Sequence, residues 1–164
     1  MSVVDIRVGK ITKVWEMPDK DKMYAEEIDM GNGETRTIAS GLKHHVPIEK
    51  MQDAMVLVVY NLLPRKMGDF TSNGMVLAAE TPDKETIELL PAPEGSQPGD
   101  VVTIEGYERK PIEKLHKSSK KNQFFLVSPE FKIDENGVAK YQDAAWSTPS
   151  GPVVATNIKN GIIG

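Results

Sequence analysis

A chain of 164 residues, 39% of them hydrophobic, has enough apolar side chain for one domain or two small ones with a core that folds unaided, so disorder is excluded as the starting expectation. No apolar run approaches the roughly 18 residues that cross a bilayer, and the opening Met1-Ser2-Val3-Val4-Asp5 lacks the features of an export signal, so a soluble, cytoplasmic chain with no membrane partner is expected. The absence of cysteine removes disulfides, thiolate nucleophiles and zinc–thiolate sites, and a net charge of −4, from 20 basic and 24 acidic residues, argues against a general nucleic-acid binder with its usual basic excess.

Short β-like segments between Gly, Pro and Asx turns fill the first two-thirds. Ile6 and Val8 alternate with Asp5 and Arg7; Gly9 then interrupts before Ile11 and Val14, which predicts one long strand carrying a bulge. Tyr24, Glu26, Ile28 and Met30 share a face of a second strand, and Gly31-Asn32-Gly33 turns it into Thr35–Ala39 as a hairpin. Pro47 opens a helix of a turn or two. Met55–Tyr60 and Met75–Ala79 are apolar runs of the length of buried strands, and Ile87/Leu89 and Val102/Ile104 alternate between proline-rich loops. Five or more short strands with one small helix between the third and fourth describe a partly open Greek-key barrel.

The character changes near Tyr107–Pro111. Residues 111–164 hold 7 basic and 5 acidic residues, and Lys114, His116, Lys117, Lys120 and Lys121 form a run without an acid. With Phe124-Phe125-Leu126-Val127 behind it, that run has the profile of a short helix docking by one end. Its lysines fit either a solvated helix face or a phosphate-binding surface. Asn136-Gly137 between Phe131–Ile133 and Val138–Tyr141 predicts a hairpin. The expected architecture is mainly β: this barrel over residues 1–108, with a small α+β domain over 109–164 packed on it. The second piece has too little core to stand alone.

No constellation for catalysis is evident. His44 and His45 are adjacent and diverge in either a helix or a strand, so they cannot readily share a metal. Neither a Walker loop, a GxGxxG nor a G-x-S-x-G elbow occurs. No enzyme activity and no cofactor or metal are expected. The connection between the two apolar runs, Asn61 to Gly74, is more informative: Arg65 and Lys66 can engage phosphates, Ser72 and Asn73 can reach ribose or base edges, and Met67 and Phe70 can stack on unpaired bases. Alone, it reads more readily as a polar strand connection with ordinary turn residues.

Four motifs in order, Asp5-Ile6-Arg7-Val8-Gly9-Lys10-Ile11, Pro18 to Asp29, Thr37-Ile38-Ala39-Ser40-Gly41-Leu42, and Asn61-Leu62-Leu63-Pro64-Arg65-Lys66-Met67 with Ser72-Asn73-Gly74-Met75, resemble the tRNA-binding domain. This module occurs as free bacterial tRNA-binding proteins and at the C-termini of methionyl-, tyrosyl- and some lysyl-tRNA synthetases. Residues 109–164 look like the extra domain of its extended form, endothelial monocyte-activating polypeptide II. The resemblance implies a five-stranded oligonucleotide-binding barrel (OB fold) that acts as a non-catalytic tRNA recruiter with little sequence specificity, partnered with tRNA and with a synthetase in cis or in trans.

It places groove contacts at Ser40, Asn61, Arg65, Lys66, Ser72, Asn73 and Met75, and Lys114, Lys117, Lys120 and Lys121 join them as candidate phosphate contacts. One departure stands out: Lys66-Met67 is followed by Gly68-Asp69 where relatives of the extended form carry Lys-Met-Arg-Gly, so a cation is lost and an anion gained. Arg7-Val8-Gly9-Lys10-Ile11-Thr12 resembles the segment associated with cytokine-like activity, which supplies the alternative of a protein-interaction or signalling module with vestigial tRNA affinity. Taken as residues, it is a first barrel strand. The resemblance further implies a monomer, the extension standing in for a second subunit, and the early first strand suggests a domain excised from a longer chain.

Overall fold

The computed structural model describes residues 1–118 and 120–164. Its organising element is β1 (Ile6–Glu16), which is long enough to serve two partners. Its first half, Ile6 to Lys10, runs antiparallel to β4 (Met55–Val59), and its second half, Lys10 to Glu16, runs antiparallel to β2 (Tyr24–Asp29). The bulge expected at Gly9 lies instead at Thr12, where the register with β2 shifts between Ile11 and Lys13. Gly9 stays in register opposite Val56 for a different reason: a Cβ there would sit 2.6 Å from Ile28 Cγ2 and 2.9 Å from Met30 Sδ, so only glycine lets the two faces close.

The Gly31-Asn32-Gly33 turn carries β2 into β3 (Thr35–Ser40), and the hairpin pairs from Tyr24 with Ser40 to Asp29 with Thr35. One turn of helix, α1 (Ile48–Met51), inserts the fully buried Met51 beneath the sheet before β4 (Met55–Val59).

After β4 the chain forms a small hairpin, β5 (Arg65–Met67) and β6 (Phe70–Ser72), where a plain connection was expected. The apolar run Met75–Ala79, expected as one strand, is divided into β7 (Met75–Val76), which pairs with β4, and β8 (Ala78–Glu80), which belongs to the other sheet. The first sheet therefore has the order β3-β2-β1-β4-β7. Its two ends approach, and the gap is bridged by Asn73 N donating to Thr37 O at 2.8 Å and Ala39 N donating to Ser72 Oγ at 3.0 Å. Gly74, at φ 146°, passes so near Val59 O that a Cβ would meet it at 3.0 Å. The result is the nearly closed five-stranded barrel.

The second sheet curls against this barrel. β9 (Ile87–Leu89) and β10 (Thr103–Ile104) come from the barrel segment of the chain. After the short α2 (Gln123–Val127), β11 (Phe131–Ile133), β12 (Ala139–Tyr141), β13 (Ala144–Thr148), β14 (Gly151–Pro152) and β15 (Ile162–Ile163) follow. The order is β10-β13-β12-β11-β15-β8-β9, with β14 beside β13, so the extension's strands lie between β10 on one side and β8 and β9 on the other.

Two apolar clusters form the interior. One fills the barrel around Ile11, Ile28, Ile38, Met51 and Val58. The larger joins barrel residues such as Val8, Leu57 and Leu77 to Phe131, Trp146 and Ile163 of the extension. Trp146 is fully buried, with the Phe131 ring edge-on at 4.9 Å.

Candidate nucleic-acid interface

A groove of about 930 Å³ opens between the barrel and the extension. One wall is built by the end of β3 and the β5–β6 hairpin, the other by His116, Lys117, Asn122 and Phe125, and Ala78 and Glu80 lie at its lower end. Arg65 and Lys66 are exposed on β5, paired across the hairpin with Ser72 and Thr71. The hairpin is held to the end of β1 by Phe70, whose ring meets Trp15 edge-on at 6.3 Å between centroids. Lys13 lies over the other side of the Trp15 ring, its Nζ 5.2 Å from the centroid.

Of the residues singled out from sequence, Ser40, Arg65, Lys66, Ser72, Met75 and Lys117 line this groove. Asn61, Asn73, Lys114, Lys120 and Lys121 do not. Asn61 is buried and occupied: its Oδ1 accepts from Asp5 N at 3.0 Å, and its Nδ2 donates to Val3 O and Ile112 O, each at 2.9 Å. Its backbone carbonyl also accepts from Leu115 N at 2.8 Å. Asn61 thus ties the lysine-bearing segment to the barrel and positions the second wall.

Ser72 Oγ is engaged in closing the barrel, accepting from Ala39 N and donating to Gly74 O at 3.3 Å. Asn73 Nδ2 donates to Thr37 Oγ1 at 3.2 Å. Ser40 Oγ points inward, to the carboxyl of the buried Glu26. The side chains open to a ligand are therefore the cations and the rim, while the hydroxyls and amides hold the frame.

The expected lysine helix is not formed. α2 begins at Gln123, after the cluster, because Asn122 caps it there, its side chain accepting from Phe124 N at 2.9 Å and Phe125 N at 3.4 Å. Lys114, Lys117, Lys120 and Lys121 precede it in turns and are all exposed. The other side of Asn122 donates to His116 O at 2.9 Å, and His116 N donates to Gln123 Oε1 at 3.1 Å, so the basic segment is braced against the helix start. Phe125 was expected among the docking residues, yet it is 51% exposed at the groove rim. The signal was available in the Phe124-Phe125 pair, since neighbours on a helix diverge by about 100° and cannot both face the core.

Arg7 to Thr12 lie in β1, with Arg7 to Lys10 paired to β4, Lys10 and Ile11 paired to β2, and Thr12 the extra residue of the bulge. Val8, Gly9 and Ile11 are buried, Arg7 and Lys10 are half-buried, and Thr12 is exposed at the bulge. The Arg7 guanidinium is bound to Asp5 at 2.9 Å and lies 3.9 Å over the Tyr60 ring, whose other face carries Arg36 at 3.6 Å. Burial raises the Tyr60 hydroxyl, helped by its bond to Glu34. Burial alone would raise Glu34 too, but the Tyr60 hydroxyl together with Arg36 and Arg7 holds its carboxyl below the ordinary range. This network locks β1, β3 and β4 together.

Among the described residues no cluster of His, Asp or Glu could hold a metal ion, and no helix is long and apolar enough to cross a membrane.

Residues 6–101 match the family model described as "Putative tRNA binding domain". The chain belongs to this family. It is a family of binding domains rather than catalysts, and its match covers the barrel and its groove hairpin. Cytoplasmic methionine–tRNA ligase of Arabidopsis thaliana is 43% identical over 163 residues, 99% of this chain and 20% of that protein. Aminoacyl tRNA synthase complex-interacting multifunctional protein 1 of Cricetulus griseus is 38% identical over 146 residues, 89% of this chain and 40% of that protein. The chain thus spans well under half the length of these two relatives.

The crystal structure of the C-terminal domain of Plasmodium vivax p43 superposes with a TM-score of 0.94 at 32% identity, over 99% of this chain and 98% of that one. The likeness therefore extends through residues 109–164, beyond the stretch matched by the family model.

Proposed function

We propose that this tRNA-binding domain recruits tRNA for an aminoacyl-tRNA synthetase, methionyl or tyrosyl, to which it is joined in cis or associated in trans. Its place of action is the cytoplasm, and it works as a monomer. The observation that carries the reading is the pairing of cations across one groove, Arg65 and Lys66 on the barrel wall and Lys117 on the extension wall. Such a groove can follow a phosphate backbone on two sides without reading sequence, and Lys114, Lys120 and Lys121 extend the positive surface beyond it.

The names of the relatives, two of them proteins of the synthetase system, support the same partners. A net charge of −4 is compatible with this, because Lys114, Lys117, Lys120 and Lys121 follow one another with no acid between them. Binding that neutralises about 4–6 phosphates gives a log–log salt slope of roughly −3 to −5, with little preference among isoacceptors. A gel shift across a salt series tests it, and failure to bind any tRNA at low salt would overturn it.

A further inference from the structure

We infer that Phe125 is a stacking platform for an unpaired base, so that the groove takes a single-stranded stretch of RNA rather than a double helix. This rests on the tRNA-binding reading and names the part of the nucleic acid that the groove engages. Phe125 is 51% exposed and lines the groove together with His116 and Lys117 from the extension and Arg65 and Lys66 from the barrel.

The ring is firmly mounted. It meets Phe124 edge-on at 5.4 Å, Phe124 meets Phe131 at 5.9 Å, and Phe131 meets the fully buried Trp146 at 4.9 Å, a row of aromatic rings running from the core to the groove. Asn122 fixes the backbone beneath it by accepting from both Phe124 N and Phe125 N. A platform held this way loses little freedom when a ligand settles on it.

The choice of occupant follows from charge and shape. Cations on both walls call for an anionic chain, and an apolar ring between them calls for a flat apolar face within that chain. An A-form duplex presents phosphates, ribose and a shallow minor groove outward, with its base faces stacked inside; an unpaired base offers a free π-face at the spacing of one nucleotide.

The test uses the full chain with two probes, a short single-stranded oligoadenylate and a blunt RNA duplex of the same length, followed by fluorescence anisotropy. Phe125→Ala is expected to weaken oligoadenylate binding by about 10-fold, to leave duplex binding and the salt slope unchanged, and to leave the thermal midpoint in place because the ring is exposed. Phe125→Trp should restore the loss. If Phe125→Ala binds oligoadenylate like the parent while Lys66→Ala does not, the groove binds RNA without Phe125 and the inference is overturned. If Phe125→Ala instead abolishes a concentration-dependent self-association and spares RNA binding, the ring belongs to a protein contact and the inference is again overturned. If the parent chain binds neither oligoadenylate nor tRNA, the tRNA reading itself has failed.

Discussion

Ser40 Oγ donates to Glu26 Oε1 at 2.6 Å inside the barrel, and the second carboxyl oxygen, Glu26 Oε2, has no partner. Burial pushes the Glu26 carboxyl up to about 8, and the Ser40 hydrogen bond pulls back only part of that rise. A carboxyl raised in this way binds its proton more tightly folded than unfolded. Its contribution is therefore fully present below the ordinary value of 4.5 and declines as pH rises toward about 8, where the folded protein must ionise it too. The expected loss is about 1.4 kcal/mol per pH unit across that window, several kcal/mol at most. Urea unfolding at a series of pH values should show the decline, and Glu26→Gln should flatten it; an equally steep decline in the variant would place the dependence on other groups.

Asn61 joins three backbone groups from distant parts of the chain, Asp5 N, Val3 O and Ile112 O. Asn61→Ala leaves the buried Asp5 N without its partner and removes the bonds to the part-buried Val3 O and Ile112 O, and should cost about 2–3 kcal/mol, with tRNA affinity falling as the second wall loosens. Asn61→Asp keeps the acceptor but loses both donors, and should be no better tolerated. Urea unfolding beside a tRNA titration checks this. Unchanged stability with lost affinity would make Asn61 a direct RNA contact instead of a positioning residue.

Lys66 is exposed on β5, and the turn beyond it holds the exposed Asp69. Lys66→Ala should weaken binding to all tRNAs alike and make the log–log salt slope shallower by about one, the signature of one lost phosphate contact. Asp69→Arg should do the reverse. Affinities and slopes that stay unchanged in both variants would move the phosphate path away from the hairpin.

Alternation and turn chemistry made most of the barrel legible, because Ile6, Val8, Ile38 and Ser40 are buried beside half-buried Arg7, Thr37 and Ala39, and β4 is a short apolar run buried on both faces. The bulge position was not legible: Gly9 looks like a break, but its missing side chain serves the contact with Ile28 and Met30, and nothing local marks Thr12 as the extra residue. The run Met75–Ala79 gave no hint of division, since Leu77 is fully buried whichever sheet claims it. At the site, charge was readable and hydrogen bonding was not. Arg65, Lys66 and Lys117 reach the groove as expected of exposed cations. Asn61, Ser72 and Asn73 have side chains equally able to bind RNA or the protein itself, and only the fold reveals that groups of the barrel occupy them.

If the full chain is the monomer proposed above, removing residues 109–164 should turn it into a self-associating or insoluble barrel. The larger apolar cluster is shared, with Val8, Leu57 and Leu77 packed with Phe131, Trp146 and Ile163, so truncation uncovers the barrel's half of it. It also strips β15 from β8, where Ile162 pairs with Glu80 and Ile163 with Ala79, leaving a strand edge open to another copy. Polar ties go as well: Arg109 to Asp5, Leu115 N to Asn61 O at 2.8 Å, and Asn157 N and Ile158 N to the Glu88 carboxylate at 2.9 and 3.0 Å. Because Lys114, Lys117, Lys120 and Lys121 leave with the extension, whatever stays soluble should bind tRNA more weakly and with a shallower salt slope. Sedimentation velocity of the full chain and of residues 1–108, with a tRNA titration of each, decides the matter. A truncated barrel that remains a soluble monomer with undiminished affinity would show that the extension neither covers the barrel nor shares in binding.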